Sequence, residues 1–199
     1  MLHEAAQPVL PYVGGALHLS IAAGIGLETL ARWLGTERVV RAMPNTPALV
    51  GQGMTGLYTP AATPDADREL AESALRSTGQ LLWVDDEALI DSVTAVSGSG
   101  PAYVFFFIEA LEQAGVEMGL TAEQAHQLAV GTFTGASALA AASNDTPAVL
   151  RQRVTSKGGT TFAAISSMEA DRVKDSIVRA LHAARLRAQE LEQEFGRAD

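Results

Sequence analysis

Val96-Ser-Gly-Ser-Gly-Pro-Ala-Tyr103 divides the chain into two kinds of sequence. Before it, short apolar runs alternate with helical patterns; after it, no strand signal occurs. Pro101 fits the first turn of a helix, where its missing N–H costs nothing. The stretch itself has two readings. Ahead of a helix N-terminus it suggests a phosphate loop, yet it is not G-x-x-x-x-G-K-[ST] and lacks the third glycine of G-x-G-x-x-G. The other reading is a tight interdomain turn.

Toward the N-terminus, Ala16-Leu-His-Leu-Ser-Ile-Ala-Ala23 reads as a strand ended by Gly24 and Gly26. Leu27 to Leu34 reads as a short helix closed by Gly35. Arg38-Val-Val-Arg-Ala-Met43 reads as a strand stopped by Pro44-Asn-Thr-Pro47, and Met54-Thr-Gly-Leu-Tyr-Thr59 as a third. Residues 64–78 predict an amphipathic helix with Leu70, Ala71, Ala74 and Leu75 on its buried side. Gln80-Leu-Leu-Trp-Val84 is the fourth strand. Strands alternating with helices imply an α/β sheet.

Toward the C-terminus, the Pro101 helix should run to about Gly115. Thr121 reads as an N-cap with Gln124 completing a capping box. The helix it opens, to about Ala142, is rich in Ala and Gly, so helices can pack closely there. Thr146-Pro147 repeats the cap-then-proline pattern. A last helix from Asp171 to Glu194 places Val173, Ile177, Leu181, Ala184 and Leu191 near one face. The fold class is therefore α/β followed by all-α, with residues 1–94 and 95–199 as its two domains.

Composition narrows the function. At 199 residues and 47% hydrophobic, the chain can bury a sizeable core. A net charge of -9 without a basic run argues against nucleic-acid binding. No cysteine is present, which excludes disulfides, thiolate catalysis and Cys-ligated metals and suits a reducing cytoplasm. His3, His18, His126 and His182 lack ligand spacing, so no metal is expected. The first residues have an acid and a proline where a signal peptide needs a basic then apolar run. The apolar stretch Ala102 to Ile108 is too short to span a bilayer.

Four stretches could carry chemistry. Val154-Thr-Ser-Lys-Gly-Gly-Thr-Thr161 sets hydroxyls and a glycine pair before an apolar helix, Phe162 to Met168. Unsatisfied amides at a helix start attract an anion, although Ser and Thr also favour plain caps. The junction Val96 to Tyr103 is the second. Arg41-Ala-Met-Pro-Asn-Thr-Pro47 ends a strand, where ligands of open α/β sheets bind. There Asn45 could bond a carboxamide or phosphate, or simply make a turn. Ser20-Ile-Ala-Ala-Gly24 ends another strand in small residues, suited to a flat ring or to packing. Glu87, read alone, is an exposed helix carboxylate.

Taken in order, RAMPNTP, DSVTAVSGSGPAY, VTSKGGTT and a closing helix resemble the pyrroline-5-carboxylate reductases, from about Leu10 to Leu191. The resemblance implies a Rossmann-like domain that binds NADPH, with NADH the other nicotinamide coenzyme to consider. It implies a helical domain that interlocks with a second copy, and reduction of pyrroline-5-carboxylate to proline in the cytoplasm. By the same resemblance, Ile21, Ala22, Ala23, Met43, Pro44 and Asn45 contact the cofactor. Glu87, Ser156, Gly158, Gly159, Thr160 and Thr161 contact the substrate, with Thr161 on the ring nitrogen as the catalytic residue and Glu87 orienting the ring. Lys157 is expected to face solvent.

Two departures stand out. The chain has no G-x-G-x-x-G and no Val-Lys-Pro segment; Gly24-Ile-Gly26 is a partial echo. Set against the family, Met1 falls in a helix past the middle of the Rossmann-like domain, with roughly 60–80 residues, about two βα units, unmatched before it. The Rossmann-like domain is thus partial, the Ser20 strand or its neighbour is expected at a sheet edge, and the chain is expected to bind NADPH poorly or not at all and so to be inactive by itself. Near Asn144-Asp145 relatives often carry a glutamate, and Asp145 is the shorter candidate to replace it. A related imine reductase or β-hydroxyacid dehydrogenase, and a non-catalytic helical dimerisation fragment, are the alternatives.

Overall fold

Residues 39–43, with three aliphatic side chains in five, suit a strand covered on both faces. In a computed structural model they form the second strand of a four-stranded sheet. The structure describes residue 4 and residues 6–196; Met1 and His3 lie outside the described residues.

The sheet runs in sequence order: β1 (His18–Ser20), β2 (Val39–Met43), β3 (Gly53–Tyr58), β4 (Gly79–Trp83). β1 pairs parallel with β2 across α1 (Leu27–Leu34), and β3 pairs parallel with β4 across α2 (Asp65–Leu75). β2 and β3 are antiparallel, with Ala42 opposite Leu57. Residues 44–52 are too few for a parallel crossover, which takes a dozen or so residues at least. β1 is shorter than the expected 16–23 run and forms one edge of the sheet.

Each face of β2 has its own core. Val40 and Ala42 pack with Leu57, Ala71 and Leu75 toward α2. Val39 packs with Ile25, Leu27 and Leu30 toward α1. Val39, Val40 and Leu57 are fully buried, each contributing about 1.5–3 kcal/mol. Leu70 and Ala74 are exposed, contrary to expectation. The buried line of α2 is Asp67, Ala71 and Leu75, four residues apart, because Asp67 is drawn in by Arg38: its Oδ2 accepts from Arg38 Nε at 2.8 Å. Thr55, also fully buried on β3, has no partner for its hydroxyl among the described residues.

The glycine-rich junction is not a turn. α3 (Leu89–Val93) runs into a π-helical turn, Thr94–Gly98, and then into α4 (Gly100–Glu117). Neither the phosphate-loop nor the interdomain-turn reading survives. Thr94 Oγ1 donates to the Ile90 carbonyl and Ser97 Oγ to the Val93 carbonyl, so these two hydroxyls are spent on the helix itself.

The remaining helices are α5 (Ala122–Ala142), α6 (Pro147–Arg153), α7 (Thr160–Ala170) and α8 (Val173–Gly196). The Thr121–Gln124 capping box is formed, with Thr121 N–H donating to Gln124 Oε1 at 2.9 Å. Thr146 caps α6 ahead of Pro147. Two compact units result: Met1–Pro101 with Leu181–Asp199, and Ala102–Ala180. Among the described residues no helix is long and apolar enough to cross a membrane.

Candidate functional site

In the first unit, the ends of β1 and β2 lie side by side, with Ser20 in register with Arg41. Ile21, Ala22 and Ala23 follow β1 as a turn of small residues capped by a 62% exposed Ile21. Gly24, at φ +73°, redirects the chain into α1. Met43, Pro44 and Asn45 follow β2. The candidate cofactor residues are thus brought to neighbouring strand ends.

Asn45 has a structural duty besides. Its Oδ1 accepts the Met54 N–H at 2.9 Å and its Nδ2 donates to the Ser97 carbonyl at 3.0 Å. A π turn opens the helical ladder, and such turns recur at functional sites. Here it also receives Met43, whose Cε lies 2.6 Å from where a Cβ on Gly98 would stand. The strand end and the π turn are therefore clamped together.

Glu87 is not the free helix carboxylate of the bare reading. It precedes α3 and reaches 60 residues back, its Oε1 accepting the Leu27 N–H at 2.6 Å. It thereby caps α1, whose N-cap Gly26 has no side chain to do so. The same oxygen is held by Arg41, only 3% exposed, which also donates to Glu192 Oε1 at 3.1 Å. Arg41 is the residue that sequence reading quoted but gave no role. Its signal is a lone charge inside an apolar strand, on the face shared with Val39. Asp91 lies within the influence of the same charges. Burial pushes its carboxyl above the usual range, helped by Glu192 and Glu87 and opposed by Arg41 and Arg185.

In the second unit, α7 begins two residues earlier than the expected Phe162, at Thr160. Thr160 and Thr161 therefore sit in its first turn. Gly159 is the N-cap and provides no side-chain cap. Gly158 adopts φ +77°, and the Gly159 N–H donates to the Ser156 carbonyl at 3.0 Å, closing the loop. A Cβ at Gly159 would stand 2.6 Å from Ser156 Oγ. No acid lies in the first turn. The loop thus presents uncapped amides and two hydroxyls together, an arrangement that holds an anion.

Lys157 is exposed and lines a cleft of about 510 Å³ with Val149, Arg151, Phe162 and Glu169. Thr160 and Thr161 do not line it. Asp145 pairs with Arg153 and its Oδ2 stands 3.4 Å from Ser143 Oγ. Among the described residues no group of three or more acidic, His or Cys side chains could hold a metal ion.

A partial α/β sheet with candidate contacts at its strand ends, in a chain that also carries a helical segment with an anion-ready helix start, belongs to the class of α/β folds that bind ligands beyond their strand ends. The family described as pyrroline-5-carboxylate reductase dimerisation matches residues 87–191. The pyrroline-5-carboxylate reductase of Pseudomonas aeruginosa is 50% identical over 181 residues, covering 90% of this chain and 66% of that protein. That of Haemophilus influenzae is 40% identical, covering 90% and 67%. Among solved structures, the pyrroline-5-carboxylate reductase of Coxiella burnetii superposes with TM-score 0.89 at 38% identity, covering 96% of this chain and 72% of that one. The Plasmodium falciparum pyrroline carboxylate reductase with NADP bound gives 0.87 at 30% identity, covering 96% and 75%. The chain belongs to the pyrroline-5-carboxylate reductase family. It spans about two thirds of the length of these curated relatives.

Proposed function

We propose that this chain carries the substrate-binding part, and the nicotinamide-facing part, of a pyrroline-5-carboxylate reductase that works in the cytoplasm as a dimer or larger assembly. The reaction adds a hydride to the imine carbon of 1-pyrroline-5-carboxylate and leaves the nitrogen protonated, giving L-proline. NADPH, or NADH, supplies the hydride when bound. Residues 1–94 serve the cofactor, apart from Glu87, which with residues 95–199 serves the substrate; 95–199 also meet the partner copy.

The residues present fit a nicotinamide. Small side chains at Ala22 and Ala23 leave main chain accessible, and Ile21 offers an exposed apolar surface beside them. Met43, Pro44 and Asn45 flank it on the next strand. Asn45 keeps one amide N–H and one carbonyl lone pair beyond its two structural bonds.

The observation that carries the reading is the uncapped start of α7 at Gly158-Gly159-Thr160-Thr161. Its amides, with Ser156, hold the substrate carboxylate. The Thr161 hydroxyl bonds the ring nitrogen, and Glu87 orients the ring. No strong general base is needed, because positioning of two planar groups does most of the work.

The test is NADPH oxidation with pyrroline-5-carboxylate, against 2-hydroxy acids as control substrates, by the purified full-length protein, since this chain alone is expected to bind NADPH poorly. Thr161→Val should lower kcat/KM by roughly tenfold to a hundredfold, the loss of about one hydrogen bond to a charged group. Unchanged turnover in that variant, or preference for a hydroxy acid, overturns the assignment.

A further inference from the structure

Arg41 lies in the middle of β2 and is 3% exposed, so its charge must be compensated locally. Two carboxylates do this through one nitrogen. Nη1 donates to Glu87 Oε1, and at 3.1 Å to Glu192 Oε1 near the end of α8. Glu87 Oε1 is also bound by the Leu27 N–H at 2.6 Å. Two donors on one oxygen fix the side chain and offset the roughly 1.5–2 kcal/mol of rotamer freedom it loses on being ordered. Oε2 of Glu87 has no hydrogen-bond partner among the described residues, and the side chain is 29% exposed.

The same point governs the turn that leads into α1. Gly26 stands against the carboxylates: a Cβ there would lie 2.6 Å from Glu192 Oε1 and 3.7 Å from Glu87 Oε1. Two residues earlier, a Cβ at Gly24 would lie 3.0 Å from Phe195 Cδ2. Residues 21–26 are thus held from behind by α8 and from the side by Glu87.

We propose that Arg41 is a positioning residue. It locks Glu87 onto the N-terminus of α1, so that the second carboxylate oxygen and the Ile21–Ala23 turn keep one fixed relation. This rests on the reading above that Glu87 meets substrate and Ile21–Ala23 meet cofactor. One buried guanidinium then sets the alignment of both contacts, and Glu192 ties the end of α8 into the same alignment.

The test uses the full chain and two readouts. In NMR spectra, the Leu27 amide proton should lie downfield, as expected for a charge-assisted bond. In Arg41→Met it should move upfield to its position in Glu87→Gln. Its exchange should quicken by about tenfold, the loss of one charged hydrogen bond, while Val40 and Leu57 amides stay protected. KM for pyrroline-5-carboxylate should rise by about tenfold with a smaller change in kcat, and Arg41→Lys should recover part of it. A Leu27 amide unmoved in folded Arg41→Met overturns the proposal. So does equal loss of protection at Val40 and Leu57 in both Arg41 variants, which marks a purely structural charge. If Arg41→Met does not fold, Glu87→Gln carries the comparison, and an unmoved Leu27 amide there is equally fatal. Inactivity of the full-length parent counts against the proposed function alone, since the Leu27 comparison needs no turnover.

Discussion

Two buried aspartates in the first unit answer pH in opposite directions. Asp91 is held above the usual carboxylate range, chiefly by burial. Its contribution to stability is complete below the unfolded value and is lost as pH rises through the folded one. Asp91→Asn, which mimics the protonated form, should therefore unfold at a higher temperature than the parent at neutral pH, and the gap should close in acid. Asp67 is held below its usual range, chiefly by its hydrogen bonds from Arg38. Its contribution is present above the unfolded value and lost as pH falls through the folded one. Asp67→Asn should be destabilised at neutral pH and converge on the parent in acid. Thermal unfolding across a pH series reads both; parallel curves for either variant would refute that assignment. Neither aspartate was legible as a special residue. Asp67 sits on the apolar face by spacing, four residues before Ala71, but a carboxylate is expected to face solvent, and only its distant partner Arg38 explains its burial.

At the scale of elements, the sequence was most readable where a local signal ends a segment. α1 spans Leu27–Leu34 as expected, because Gly35 closes it at φ +67°. The Thr121–Gln124 box and the Thr146-Pro147 start are equally local. The junction was misread because a π turn has no periodic signature in side chains. Gly98 serves close packing against Met43 rather than chain reversal. The docking of α8 on the Gly24 turn was also out of reach, since Leu191 and Phe195 lie far along the chain from it. That contact is testable. Gly24→Ala adds a Cβ at φ +73°, 3.0 Å from Phe195 and 3.1 Å from Leu191. A left-handed alanine costs about 1–2 kcal/mol, and forced repacking adds about 1–3 kcal/mol. Denaturant unfolding should show a loss above about 2 kcal/mol, whereas Gly14→Ala, which meets nothing, should be nearly neutral. Equal losses would mean the α8 contact is not formed.

At the scale of the whole molecule, the site was legible as motifs but not as a geometry. The contiguous TSKGGTT loop could be read directly, whereas the Arg41, Glu87, Leu27 and Glu192 cluster joins residues up to 165 positions apart. The second unit poses a further question of its own. Phe105, Phe106, Met118, Leu128 and Leu139 are all more than half exposed, and within α5 only Ala125 and Ala129 are buried. Exposed apolar surface of this extent marks an interaction face, and the dimerisation family match covers it. Gly131 and Gly135 sharpen the expectation, because a Cβ at either meets nothing within the chain. In an isolated chain, replacing an exposed helical glycine by leucine should add up to about 1 kcal/mol of stability. If a second copy packs closely on α5, the same replacement intrudes on it and weakens association. Gly131→Leu and Gly135→Leu should therefore raise the helix content of the dilute monomer. They should also lower the dimer association constant by roughly tenfold or more in sedimentation equilibrium, on the scale of about 1–3 kcal/mol for overpacking. The parent should melt at a temperature that rises with concentration, and the variants at one that does not. Variants that dimerise as tightly as the parent would place the partner copy on another face of the helical unit.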